Sequence, residues 1–185
     1  MAASTRNNDV KKFLNNLRFA SVLPYLCTVI IIRWMSKAVR IVVHCTGEPA
    51  DAVRNKAYYR HLFFDVFGWQ HWGYHAIVYQ DGSWEMLQPL PQPKFGHAHL
   101  TYGTMANGAK GYNENSLHIA YVGGLTPHGS RPSDTRTAEQ RATLRVLVAK
   151  WKHVYGIDEV LGHSQLPNVK KACPCFDARK EYSNV

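Results

Sequence analysis

Cysteine is scarce in this chain, with four residues in 185, at positions 27, 45, 173 and 175. Cys27 sits in an apolar run, and Cys173 and Cys175 are too close to bridge each other comfortably. That argues against a disulfide framework and leaves each thiol to metal binding or packing. Acidic residues are also few, 13 against 22 Lys and Arg, giving a net charge of +9. Such an excess invites a nucleic-acid reading, but its placement speaks against one. Residues 1–40 carry seven Lys/Arg and one Asp, whereas the remainder carries fifteen against twelve Asp/Glu. The globular part is thus only mildly basic, and no nucleic-acid partner is expected. Long apolar runs are missing too. Residues 19–32 are fourteen in a row without a charge, broken by Pro24, short of the ~20 that a membrane-spanning helix needs. No internal repeat and no linker divides the chain.

What is present fits one globular domain behind an N-terminal extension. Hydrophobic content of 45% and charged content of 19% suit a chain that buries a proper core. In residues 1–38, Val10, Phe13, Leu14 and Leu17 recur at helical spacing ahead of the apolar run. The run and its basic flank suit an export signal, with Ser36-Lys37-Ala38 as a small-x-small cleavage pattern, or a contact with membrane through residues 19–32. The competing reading is an extension without function, with Met35 as the natural start.

From Val39 the pattern becomes regular. The β-branched run 39–43 predicts a buried strand with His44 at its C-terminal end. A helix is expected over 51–67, closed by Gly68, and strands over 73–79 and 84–87 around the turn signal Asp81-Gly82. Pro89, Pro91 and Pro93 end that ribbon. A glycine-rich surface loop over 96–115 precedes a strand over 116–122. Thr137 and Gln140 form a capping box for the clearest helix, which Gly156 closes. A short strand over 159–162 delivers His163. Alternating strands and helices give an α/β fold around one central sheet.

The chemistry concentrates between Leu161 and Asp177, where His163 and Cys173 are joined by a loop carrying Lys170 and Lys171. Imidazole and thiolate are common zinc ligands, and a catalytic zinc takes three protein ligands and keeps one position open. His44, at the end of a strand, is the natural third. Taken alone it reads more readily as a core histidine; the three together match a His-His-Cys set. Other groupings are weaker. His71 and His75 have helical spacing but Gly73 lies between them. His97-Ala98-His99 lacks a nearby carboxylate or thiol, and the lysine of residues 103–110 is misplaced for a phosphate loop. Strand alternation should point Cys45 away from His44, and Cys45 and Cys175 read as packing residues.

These residues also carry a family resemblance. The runs V-V-H-C-T (42–46), G-Y-H (73–75), D-G-S (81–83), K-G-Y-N-E-N-S (110–116), Y-V-G-G (121–124) and K-A-C-P-C-F-D (171–177) resemble the zinc N-acetylmuramoyl-L-alanine amidases. This is the family of phage lysozyme-type endolysins and peptidoglycan-recognition proteins. The resemblance covers residues 39–182 and implies a single central mixed β-sheet flanked by helices. It implies Zn²⁺ held by His44, His163 and Cys173, with Tyr74 and Lys171 as catalytic residues and His97 as the best counterpart of a substrate-cleft histidine. The implied reaction is attack of zinc-activated water on the amide between N-acetylmuramic acid and L-alanine of peptidoglycan. A monomer is expected, acting on the wall from the host bacterial cytoplasm, or exported to the periplasm or envelope if the N-terminal segment is a signal. Two other readings stand beside it. One is a non-catalytic peptidoglycan-recognition module, which in this family usually lacks the zinc cysteine. The other is a regulator of phage RNA polymerase, as some phage relatives are, although this N-terminus departs from theirs.

Overall fold

The computed structural model describes residues 36–185. The expected helix around residues 10–17 and the apolar run 19–32 lie outside the described residues. The centre of the fold is a five-stranded sheet. Its strands are β2 (Arg40–Cys45), β4 (Ala76–Val78), β5 (Trp84–Met86), β7 (Ser116–Tyr121) and β9 (Glu159–Gly162), in the order β5-β4-β7-β2-β9. β4, β7, β2 and β9 run parallel, and β5 pairs antiparallel with β4 across the Asp81-Gly82 turn. The sheet is therefore mixed, as the resemblance implied. Two two-stranded ribbons lie beside it, β1 (Ser36–Lys37) with β6 (His99–Leu100) and β3 (Glu48–Pro49) with β8 (Gly124–Leu125), together with isolated bridges such as Lys94 to His97.

The strand sequences explain the layers. β2 and β7 are buried along their lengths except at Arg40, as expected for β-branched runs covered on both faces. Their alternate residues Ile41, Val43, Leu117, Ile119 and Tyr121 join Leu144, Leu147, Val148 and Trp151 of the long helix in one core. On the other face, Ile77 and Val122 pack with Tyr59, Phe63 and Leu87, and Val42 packs with Ala109, Leu161 and Leu166.

The long helix, α2 (Ala138–Tyr155), starts as expected. The Thr137 hydroxyl accepts from the Gln140 N–H, the Gln140 side chain accepts from the Thr137 N–H, and Gly156 closes the helix in the left-handed region at φ 57°. The earlier helix is shorter than expected. α1 spans Lys56–Arg60 and continues as a π-helical stretch His61–Val66. It begins at Lys56 because Asn55, not a residue near Asp51, caps it by accepting from the Tyr58 N–H, while Ala50 and Asp51 form a turn after β3. A last short helix, α3 (Ala178–Glu181), is tied to the segment before α2 by Arg136. The Arg136 guanidinium, fully buried, donates to Asp134 and Glu181 and lies 3.2 Å from the centre of the Phe176 ring.

Three residues ahead of the expected boundary at Val39 already pair or pack with the folded unit. Ser36 and Lys37 pair with Leu100 and His99, and Ala38 is fully buried with its N–H donated to the Ala98 carbonyl. Of the cleavage-like pattern, Ser36 and Lys37 thus belong to the β1–β6 ribbon and Ala38 to the core.

Candidate active site

Alternation along β2 sends Ile41, Val43 and Cys45 into the core against α2 and leaves Val42 and His44 on the opposite face. Cys45 therefore points away from His44, as its place in the strand predicts. His163 opens a 3-10 turn directly after β9, and β9 lies beside β2 in parallel register, Val43 opposite Gly162. Neighbouring parallel strands thereby bring their C-terminal ends, and both histidines, to one edge of the sheet. Their ring centres are 4.7 Å apart.

The loop carrying Cys173 is fastened to this edge. The Ser164 N–H donates to the Cys173 carbonyl at 2.7 Å, and the Tyr121 hydroxyl donates to the Pro174 carbonyl at 2.7 Å. Gly162 permits the approach: a Cβ there would lie 2.4 Å from Pro174 Cδ. The Cys173 sulfur ends 3.8 Å from His44 Nδ1 and accepts from the Cys45 backbone N–H at 3.2 Å. Among the described residues, His44, His163 and Cys173 offer one donor atom each, all within 4.8 Å of one another.

These donors line a cleft of about 240 Å³ together with Tyr74, Lys171, Trp69, Asn107 and Thr46. Burial pushes the His44 imidazole well below its usual pKa, helped by His118, His163 and Lys171. Burial and Lys171 push His163 down to about 4. Both rings are neutral at neutral pH, so each keeps a nitrogen lone pair available to a metal. Tyr74, whose ring centre is 5.2 Å from that of His44, has its phenol pushed up by burial and then by Cys173, Cys45 and Glu48. It stays protonated and can donate a hydrogen bond.

Five of the six residues singled out from the sequence therefore meet in one cleft. His97 does not. It lies beside Lys37 and the Tyr155 carbonyl, near the C-terminal end of α2, with Nε2 3.4 Å from Lys37 Nζ and Nδ1 3.4 Å from the carbonyl. It is not among the residues that line the cleft. His75 is a core histidine: Nε2–H donates to the Thr104 carbonyl and Nδ1 accepts from the His118 N–H. The sulfurs of Cys45 and Cys175 are 4.0 Å apart and pack in the core. Sequence reasoning missed Trp69, Asn107 and His118. The first two sit outside regular elements, where no periodicity marks a face.

A parallel-centred mixed sheet carries two neutral imidazoles and a thiol at the mouth of an open cleft, a donor set that could hold a metal ion. The family model for N-acetylmuramoyl-L-alanine amidase matches residues 35–176, and the chain belongs to that family. It is 31% identical over 141 residues to an endolysin of Enterobacteria phage T3, covering 76% of this chain and 82% of that one. In fold it is similar to the N-acetylmuramoyl-L-alanine amidase LysC from Clostridium intestinale, with a TM-score of 0.58 at 20% identity over 80% of this chain and 85% of that one. It is similar likewise to bumblebee PGRP-SA, with a TM-score of 0.57 at 16% identity over 81% and 85%.

Proposed function

We propose that the protein is an endolysin-type N-acetylmuramoyl-L-alanine amidase that uses zinc. It would cleave the amide between the lactyl group of N-acetylmuramic acid and the L-alanine of the peptidoglycan stem. The observation that carries this reading is the convergence of His44, His163 and Cys173 with Tyr74 and Lys171 on one cleft. The donor set fits the ion. Zn–N and Zn–S bonds of tetrahedral zinc place donors roughly 3.3–3.8 Å apart. His44 Nδ1 and Cys173 Sγ are 3.8 Å apart, and all three donors lie within 4.8 Å of one another, so small side-chain rotations would close the triangle on the ion. His44, His163 and Cys173 would hold the ion with three protein donors at an open cleft, the donor count of catalytic rather than structural zinc sites.

Zinc bound there supplies Lewis acidity and a water acidified toward neutrality. The chain's own groups do the rest. The Lys171 ammonium, whose charge reaches both histidines, stabilises negative charge growing on the carbonyl oxygen. The Tyr74 phenol, held protonated, donates a hydrogen bond into the cleft and orients the water or passes a proton toward the leaving amine. The Cys45 N–H fixes the Cys173 sulfur. Retention of Cys173 favours catalysis over recognition alone.

The test uses isolated sacculi with the purified protein, with and without a zinc chelator, and mass spectrometry of the products. Free stem peptides beginning with L-alanine, lost on chelation and in Cys173→Ser, support the amidase. Sacculi that are bound without new L-alanine ends would establish a recognition module instead. The same reading takes the protein as a monomer that reaches the wall from the host cytoplasm. For residues 1–38, the mass of the mature protein distinguishes starts at Met1, Met35 and Val39.

A further inference from the structure

His118 belongs to none of the motifs above, yet it touches the site from behind. It lies on β7, next to β2, and is fully buried. Its Nδ1 is 3.0 Å from Nε2 of His44. The other nitrogen of His44, Nδ1, is the one that faces Cys173. The two edges of the His44 ring are therefore divided between the donor triangle and His118.

The ring of His118 is itself held in place. Its backbone N–H donates to His75 Nδ1, and the two rings stack with centres 5.9 Å apart and planes 12° apart. The loop over residues 107–109 closes against it at Gly108, where a Cβ would stand 2.5 Å from His118 Nδ1. Any larger residue at 108 would push the imidazole off His44.

Proton counting gives this contact a direction. A nitrogen that donates its lone pair to a metal carries no proton, so a metal on Nδ1 of His44 requires the proton on Nε2. That N–H must then be accepted by His118 Nδ1, which places the His118 proton on its own Nε2, an atom that is buried without a hydrogen-bond partner among the described residues. An unpartnered buried N–H is costly, and it persists here because the other edge of the ring is engaged with His44. Metal-ligating histidines ordinarily donate their second N–H to a carboxylate, a carbonyl or water. Here the acceptor is a neutral imidazole, which orients the ligand without adding negative charge to the site.

We propose that His118 is a positioning residue: by accepting from His44 Nε2–H it locks the His44 tautomer and ring orientation that present Nδ1 to the metal. This inference rests on the reading of His44 as a metal ligand. It is tested on the full chain by zinc affinity, measured by chelator competition, in the wild type, His118→Ala, His118→Asn and His44→Ala. His118→Ala is expected to weaken zinc binding by about 10–100-fold. His118→Asn, whose side-chain oxygen can take the place of Nδ1 as acceptor, restores most of it. Long-range ¹H–¹⁵N spectra of the zinc-loaded protein are expected to show the proton of both His44 and His118 on Nε2. A His118→Ala protein that melts cooperatively and binds zinc like the wild type overturns the proposal. So does a proton on His118 Nδ1, or an Asn variant as weak as the Ala variant despite an unchanged melting temperature. If His44→Ala itself binds zinc normally, the fault lies in the ligand assignment, and this inference falls with it.

Discussion

Lys171 is exposed, yet its charge lowers the pKa of two buried imidazoles a short distance away. An ammonium in that place contributes most when negative charge appears opposite it, during attack on the carbonyl. Lys171→Met is accordingly expected to lower kcat by roughly 10²–10³-fold, the cost of removing one oxyanion donor. Its zinc content should stay at the wild-type level. Release of L-alanine ends from sacculi, together with metal analysis, checks both halves. Loss of zinc along with activity would mean that the lysine supports the site rather than the reaction. For His97 the expectation is the reverse of its sequence-based role: His97→Ala should leave turnover on sacculi unchanged, since its ring points to Lys37 and Tyr155.

At the scale of elements, β1 is the most revealing piece. Two residues long, it carries the pairing of Ser36 and Lys37 and the fully buried Ala38. A protein starting at Val39 loses all of this and is expected to be less stable than one starting at Met35. The loss, on the order of 2 kcal/mol for the missing hydrogen bonds and burial, is read from denaturant midpoints. Equal midpoints would show that the fold does not need the strand. The same element shows where the sequence stops being legible. β2, β7, β9 and α2 were visible because β-branched runs and a capped 3.6-residue period extend over enough residues to be recognised. Strands of two residues have no period. α1 was placed too early because apolar spacing cannot tell Asp51 from Asn55 as a start, whereas an N-cap hydrogen bond can. His118 could be read as a strand residue, but its approach to His44 depends on the register between strands more than seventy residues apart, which no local pattern encodes. The donors His44, His163 and Cys173 were legible because their chemistry is unusual wherever it stands.

Across the whole molecule, the buried histidines act together. His75 and His163 are held to about 4 against the ordinary 6.5, chiefly by burial, and His44 and His118 shift in the same direction. Between those values the unfolded chain binds protons that the folded chain refuses. Stability is therefore complete above pH 6.5 and is lost as pH falls toward 4, each group adding up to ~1.4 kcal/mol per pH unit. Denaturant midpoints of zinc-free protein should drop steeply from pH 7 to pH 5, and a flat profile would contradict the burial of these rings. Zinc, if held by His44, His163 and Cys173 as proposed, should raise the midpoint at pH 7, because it would bind the folded state and compete with protons for the same nitrogens.

The three donors lie at positions 44, 163 and 173 and are brought together by the pairing of β2 with β9 and by the hydrogen bonds that fasten the Cys173 loop to Ser164, Tyr121 and Cys45. No short fragment of the nascent chain holds more than two of them. A complete three-donor site therefore exists only once β2 and β9 have paired, so the full site would form with the sheet rather than ahead of it. If the triangle holds zinc as proposed, the supply of free zinc would set both how many molecules can cut and how long each lasts, so a zinc-starved cell would hold a pool that is idle and short-lived at once.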